Sequence, residues 1–490
     1  MRTFDVALRL DTEDFLTPQS DDALRRILDV LDAHAVLATF PVVGEKVRSW
    51  LRGGRADLIE RLGRHAVGYH SDTHSLHPTI AEELAPLPWP EACAAFVARE
   101  REGYALVAET FGTPVCWTQP GGNWTAAALA VVRGWGVPMD FSEGWNSYLD
   151  AGPAPCRYEG LMHWSAPVTA PKPFLSGLPG NLLPALEMAE RRVVDRTHGE
   201  APLCIVAHPT ELCTTAFWDA VNFGGGRMPP RAEWRSAPVR DAESVEAATA
   251  ALDAYIGGLL HLGATFITAP DLVACYPDRA VGMDLPAAPL RALARVVGVG
   301  PGAVRGAGLA LSAAEVFALI CAALTRWPDG LPDGATGALP VRACDGPAES
   351  APERAGPAVS GRAALVDAAR WCDAHVANRA YLPSAVPLAG GSVPPADFLG
   401  AAARLLAHPE ETETPLRRHP PHWERVVKPP ERLHWDWPVF PPDFWPMGLW
   451  DMARLQAWTW KPAVPASEAV DWGAWAGASP WRPVTPSEES

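Results

Sequence analysis

Two histidines four positions apart, His70 and His74, sit in the run Gly68-Tyr69-His70-Ser71-Asp72-Thr73-His74-Ser75-Leu76-His77-Pro78. Such a pair can close on one metal ion if the backbone turns there. Two other stretches carry matching chemistry. Leu8-Arg9-Leu10-Asp11-Thr12-Glu13-Asp14 ends in acids, and Cys204-Ile205-Val206-Ala207-His208-Pro209 ends an apolar run in a lone imidazole. Acids, a His pair and a later His are the parts of a metal hydrolase site spread along a barrel.

Asp11 and Glu13 are two apart, so on a strand they share a face. One can ligate a metal while the other stays free as a base. Acids after a strand also cap the next helix, and Asp14 suits that plainer role better than Asp11 or Glu13. Lone histidines are more often structural than ligating. His77 is read as structural or substrate-facing, because Pro78 bends the chain away. Ser71 or Thr73 can orient a ring nitrogen from behind. His208 can protonate a leaving amine, since its ordinary pKa is about 6.5. Glu143, Asp140 or Glu211 can hold its charge, and a buried His bonded to a backbone carbonyl would look the same in sequence.

These residues need elements to position them. Residues 4–10 read as a first strand ending in acids. Ser20-Asp21-Asp22 caps a helix with Leu24, Ile27, Leu28 and Leu31 at helical spacing. Ala35 to Phe40 reads as a second strand, Asp57 to Gly63 as a short helix, and Ala66 to Tyr69 as a strand entering the His pair. Pro90 to Phe111 is a long helix and Val115 to Trp117 a strand. The loop Thr118 to Trp124, the helix Ala126 to Gly134 and the strand Val137 to Phe141 follow. Leu203 to Ala207 is a strand, Pro209 to Ala242 a long polar loop, Ser244 to Leu262 a helix and Ala264 to Ile267 a strand. Strands alternating with helices predict a parallel α/β arrangement, a barrel over residues 1–277. Composition then changes. Leu311 to Ile320 and Val393 to Ala402 look alike, which predicts a small helical module of two divergent repeats over 285–410, with 345–360 as linker. Residues 411–490 are Pro/Trp-rich, with ten tryptophans from Trp423 to Trp481, and read as an extended tail.

Bulk properties exclude some partners. The formal charge of −16 argues against nucleic acid and anionic membrane surfaces. No window approaches a membrane span of roughly 20 apolar residues. No secretory signal is visible at Met1 to Leu8, and the nine cysteines occur singly, so a reduced, cytoplasmic chain is expected. Gly121-Gly122 lacks the Lys-Ser/Thr of a phosphate loop.

Taken together these stretches resemble the polysaccharide deacetylase (NodB-homology) family of carbohydrate esterases. Asp11-Thr12-Glu13 looks like its acidic motif, and His70-Ser71-Asp72-Thr73-His74 matches H-S/T-x-x-H. The resemblance implies a distorted (β/α)7 barrel with one divalent ion, commonly zinc. It implies Asp11 as general base and Glu13, His70 and His74 as ligands, with Asp14 an alternative ligand. It also implies Ser71 bracing the loop and His208 as general acid. The family's R-x-P-x-G motif corresponds to Thr118-Gln119-Pro120-Gly121-Gly122, where the arginine that partners the base is missing. Asp140 to Trp145 resembles a fourth motif weakly. Pro120, Gly121, Trp124 and Trp145 are the implied substrate contacts. The departure at the third motif resembles the peptidoglycan-deacetylase-like and allantoinase-like branch, and the repeats are faintly similar to pseudomurein-binding repeats. The expected activity is removal of an N-acetyl group from an amino sugar or glycan. The alternatives are hydrolysis of a cyclic amide, or a catalytically silent barrel that binds glycan.

Overall fold

The first strand, β1 (Phe4–Leu10), is buried along nearly its whole length, as a run of Val6, Ala7, Leu8 and Leu10 requires. Strands buried on both faces belong to parallel sheets covered by helices. The computed structural model describes residues 4–142, 147–150, 154–164, 186–187, 202–332, 334–388, 390–433, 435, 437–471, 479 and 481–486. Glu143 and Trp145 therefore lie outside the described residues.

β1 pairs in parallel with β2 (Thr39–Val42), and β2 pairs in parallel with β3 (Ala66–Tyr69). On the other side β1 pairs in parallel with Leu203–Ala207, and its first residues pair with Ala264–Ile267. The order is thus β3-β2-β1 and then Leu203–Ala207. Single bridges carry the sheet on from Tyr69 to Trp117 and from Trp117 to Asp140. Met139–Asp140 then pairs with Leu161–His163, which turns back on Cys156–Tyr158. Among the described residues no pairing returns from Leu203–Ala207 to that far end.

Helices cover the sheet. α1 (Gln19–His34) buries Leu24, Ile27, Leu28 and Leu31, the stripe its spacing predicts. Ala35 takes a left-handed conformation (φ 53°) that closes α1, so the second strand begins at Thr39 rather than Ala35. α2 (Gly44–Gly53) is a helix the spacing did not predict; it buries Val47 and Trp50. α3 (Ala56–Leu62), α4 (Ile80–Leu84), α5 (Trp89–Phe111) and α6 (Ala126–Gly134) follow.

Beyond residue 280, two stretches share one element order: strand, helix, hairpin, helix, strand. In the first, Asp284–Pro286 pairs with Ala338–Pro340, enclosing Ala287–Val297, a hairpin and Ala313–Arg326. In the second, Val359–Gly361 pairs with Glu413–Pro415, enclosing Arg362–Arg379, a hairpin and Pro395–Ala407. Strands accompany the helices because each short ribbon ties the ends of its unit together. Among the described residues no helix is long and apolar enough to cross a membrane.

The loop after β3 is gripped between α2 and α5. Gly44 and Gly103 leave no room for a side chain: a Cβ on either would lie 2.2 or 2.3 Å from Asp72 Oδ1. Gly103→Ala is therefore expected to lower stability by about 1–3 kcal/mol, the usual cost of overpacking. A urea titration checks this, and an unchanged midpoint would contradict it.

Candidate metal centre

The strand order puts groups far apart in sequence at one edge. His208 follows Leu203–Ala207, Asp11 and Glu13 follow β1, and His70 follows β3. All leave the C-terminal ends of parallel strands, where open α/β sheets place their sites. Backbone bonds hold them in step: Asp11 N–H donates to the Ala207 carbonyl (2.9 Å) and His70 N–H to that of Val42 (3.1 Å).

Glu13, His70 and His74 each present a ligand atom, all within 4.8 Å of one another and all buried. Glu13 Oε2 lies 2.9 Å from His74 Nε2 and 3.5 Å from His70 Nε2. Neither Nε2 has a hydrogen bond of acceptable geometry. Buried ring nitrogens without partners are costly, and here both face the same carboxylate. The opposite nitrogens are held. His70 Nδ1–H donates to the Thr118 carbonyl (2.9 Å) beside Thr118 Oγ1 (2.6 Å), which leaves Nε2 as a lone pair. Trp218 Nε1–H donates to Glu13 Oε1 (3.2 Å), turning Oε2 toward the rings. Two imidazoles and a carboxylate suit zinc and similar divalent ions, so the donor set fits the group implied by the sequence.

The His loop is tightly wound. Ser71 and His74 both have positive φ (67° and 56°), a conformation that costs about 1–3 kcal/mol per residue. Ser71 Oγ accepts from His74 N–H (3.0 Å), and the fully buried Glu100 accepts from Asp72 N–H (2.7 Å) and Tyr69 Oη–H (2.6 Å). Ser71 or Thr73 is expected from sequence to orient a ring nitrogen, but Ser71 bonds His74 N–H and Thr73 bonds Arg99; Thr118 and Ser75 are the residues that reach the rings. His77 bonds Glu82 and the Phe223 carbonyl instead of the trio.

Burial disfavours ionisation of Glu13, yet the charges of His74 and His208 and contacts with both ligand rings hold its pKa well below the usual value. Asp14, the alternative ligand, faces away. Its Oδ1 accepts from Leu16 and Thr17 N–H (3.0 and 2.9 Å) and its Oδ2 from Thr210 Oγ1 (2.8 Å). These bonds make Asp14 a brace of the loop before α1 and not its cap, since α1 starts at Gln19 with no side-chain cap.

Asp11 is buried, and its Oδ1 has no hydrogen-bond partner. Its Oδ2 accepts from Arg9 Nη2 (2.8 Å), and Arg9 also donates to the Phe141 carbonyl. Arg9 was missed from sequence, although a residue two before Asp11 on a strand shares its face. Arg9 is the cation paired with Asp11 (2.8 Å), and the loop at 118–122 contains none. His208 Nδ1–H donates to Glu211 (2.9 Å), and its Nε2 lies 3.9 Å from Asp11. Of the acids considered for His208 that lie among the described residues, Glu211 is the one in contact, whereas Asp140 binds His163 (2.7 Å).

Substrate contacts expected at Gly121 and Trp124 are covered. Trp124 is fully buried, packs on Tyr148 and Tyr158, and donates to Asp140 (3.1 Å). A Cβ on Gly121 would strike the Trp437 ring at 2.1 Å. Pro120 is buried, and its carbonyl accepts from Asn123. Trp437 meets the His74 ring edge-on at 5.8 Å, so a C-terminal aromatic lies against both Gly121 and His74.

No family profile and no curated protein matches the chain. Among solved structures it is similar to a polysaccharide deacetylase from Bacillus cereus (18% identity, 55% of this chain and 92% of that one, TM-score 0.30). It is similar also to a family 4 carbohydrate esterase from Streptomyces lividans (13%, 54% and 91%, 0.29) and to a CE4 family pseudoenzyme (15%, 56% and 68%, 0.30). At these values the likeness carries no argument about activity.

Burial works against a charged His208, but Glu13, Glu211 and Asp11 raise its pKa to about 9 in the metal-free protein. A raised pKa stabilises the fold fully below about pH 6.5, and that contribution is lost as pH rises through about 9. In metal-free protein, the stability lost in His208→Ala is expected to be largest near pH 6 and to shrink by pH 10. Urea titrations across that range check the sign.

Proposed function

We propose that this chain is a metal-dependent hydrolase of a non-peptide C–N bond, removing an N-acetyl group from an amino sugar or glycan. The observation that carries the proposal is the convergence of Glu13 Oε2 and the two unpartnered Nε2 atoms of His70 and His74, flanked by Asp11 and His208. The acetyl-sugar substrate rests on the motif resemblance alone. Residues 1–277 would form the catalytic unit, with 285–410 and 411–490 as accessory parts.

Glu13, His70 and His74 would hold the ion, which when bound supplies Lewis-acid polarisation of a carbonyl and acidifies water. The residues around it divide the proton work. Asp11 Oδ1 is free to accept a proton from an attacking water, while Arg9 holds Oδ2 and keeps the carboxylate oriented. With its pKa raised to about 9, His208 is an imidazolium at neutral pH, so it carries a second proton on Nε2 toward the site while Glu211 holds Nδ1–H. It can pass that proton to the departing amine. Trp218 and Thr118 fix the ligands, and the buried surroundings strengthen each of these interactions.

Purified protein is expected to hold one divalent ion per chain and to lose activity to a chelator. N-acetylglucosamine oligomers and peptidoglycan fragments, assayed for acetate, and allantoin, assayed for ring opening to the open-chain ureido acid, test the substrate class. Acetate release from the sugars is the expected result, and ring opening of allantoin with no acetate from the sugars would overturn the substrate. Asp11→Asn should lower kcat by about 10²–10⁴-fold with the ion retained. Full turnover in that variant would remove Asp11 as base. Arg9→Met should lower kcat while metal content stays unchanged.

A further inference from the structure

His74 is braced by a relay that no motif in the sequence marks. Its Nδ1 faces Ser75 Oγ at 2.5 Å, and Ser75 Oγ–H donates to Asp219 Oδ2 at 2.8 Å. Ser75 has one hydroxyl proton. Given to Asp219, it leaves the oxygen to accept Nδ1–H of His74, so in the neutral ring, the form that can ligate a metal, Nε2 is the unprotonated nitrogen. That nitrogen is the buried, unpartnered one facing Glu13. Ser75 is wholly buried and Asp219 nearly so (3% exposed), so water cannot substitute for either.

Asp219 is itself fixed. Its Oδ1 accepts from Ala220 N–H (2.7 Å), in the first turn of the helix Trp218–Phe223. Asn222 pins that helix through two backbone bonds to Arg235. The neighbouring Trp218 bonds Glu13. Adjacent residues of one segment, far from the ligands in sequence, thus reach two of the three.

We infer that Ser75 and Asp219 are positioning residues that set the tautomer and direction of His74 for metal binding. This rests on reading Glu13, His70 and His74 as a metal centre. A carboxylate acting through a hydroxyl differs from the carbonyl that holds His70, because its charge also raises the basicity of the ligating ring. Ser71, the hydroxyl next to His70, plays no part in the relay, since it is spent on His74 N–H.

The test is titration of metal-free protein with Zn²⁺ against a chromophoric chelator, together with the visible absorption spectrum of the Co²⁺ form. Ser75→Ala and Asp219→Asn should each weaken Zn²⁺ binding by about 10–100-fold. The double variant should be no weaker than Ser75→Ala alone, because both break one chain. Ser75→Thr, which keeps the hydroxyl, should restore the affinity and the wild-type Co²⁺ spectrum. Thermal melts of the metal-free variants report folding separately, and the Ser75 pair carries the test if Asp219→Asn does not fold. Single variants that bind as wild type does, or losses that add in the double variant, would overturn the relay. Wild-type protein that binds neither ion would instead overturn the metal reading itself.

Discussion

Three groups that favour water are held together where water is scarce. Glu13, His70 and His74 are each no more than 3% exposed, and one oxygen or nitrogen from each lies within 4.8 Å of the others. Burying a carboxylate costs several kcal/mol unless opposite charge and hydrogen bonds compensate. The surroundings are organised around that cost. Trp218, Thr118 and Ser75 each take the atom of a ligand that faces away from the centre. What remains are three lone pairs directed inward, which a cation would satisfy together.

Holding the histidines so close sets conditions on the scaffold. The rings converge because Ser71 and His74 adopt left-handed backbone, and that conformation persists only when the surroundings over-determine it. Glu100 from α5 and Arg48 from α2 fasten Asp72 between them. Gly44 and Gly103 let both helices approach. The His loop is thus held by contacts that need no ion, and such an arrangement would limit the ordering cost of binding one.

The C-terminal stretch is also part of this frame. Trp437 and Phe440 lie on Gly121 and Gly122, where side chains would collide with them. The turn at Gly225 and Gly226 donates to the carbonyls of Pro438 and Val439. Tyr158 bonds the Ala453 carbonyl, and Lys461 pairs with Arg157 along a sheet edge. The prolines that keep this stretch out of long helices also leave its carbonyls available to partners elsewhere in the chain.

Much of the α/β half was legible, and for local reasons. Apolar spacing gave α5 and α6 within a residue or two and the buried stripe of α1, though α1 begins at Gln19, ahead of the cap expected at Ser20–Asp22, and buried runs gave β1, β3 and Leu203–Ala207. The second strand slipped because the apolar run at 35–38 is spent on closing α1. The strand at 115–117 shrank to a bridge at Trp117, since edge pairing depends on neighbours that propensity does not see. Residue type and spacing alone determined that His70 and His74 can ligate, that Asp11 and Glu13 share a face, and that His208 ends a buried strand. Only the tertiary structure decided that Arg9 partners Asp11, that Glu211 holds His208, that Asp14 braces the loop before α1, and that Trp437 covers Gly121. The periods of helix and strand are written in short windows. Hydrogen bonds between residues 144 or 205 positions apart, such as Ser75 with Asp219 and Glu13 with Trp218, come into being only when the sheet order brings their strands together.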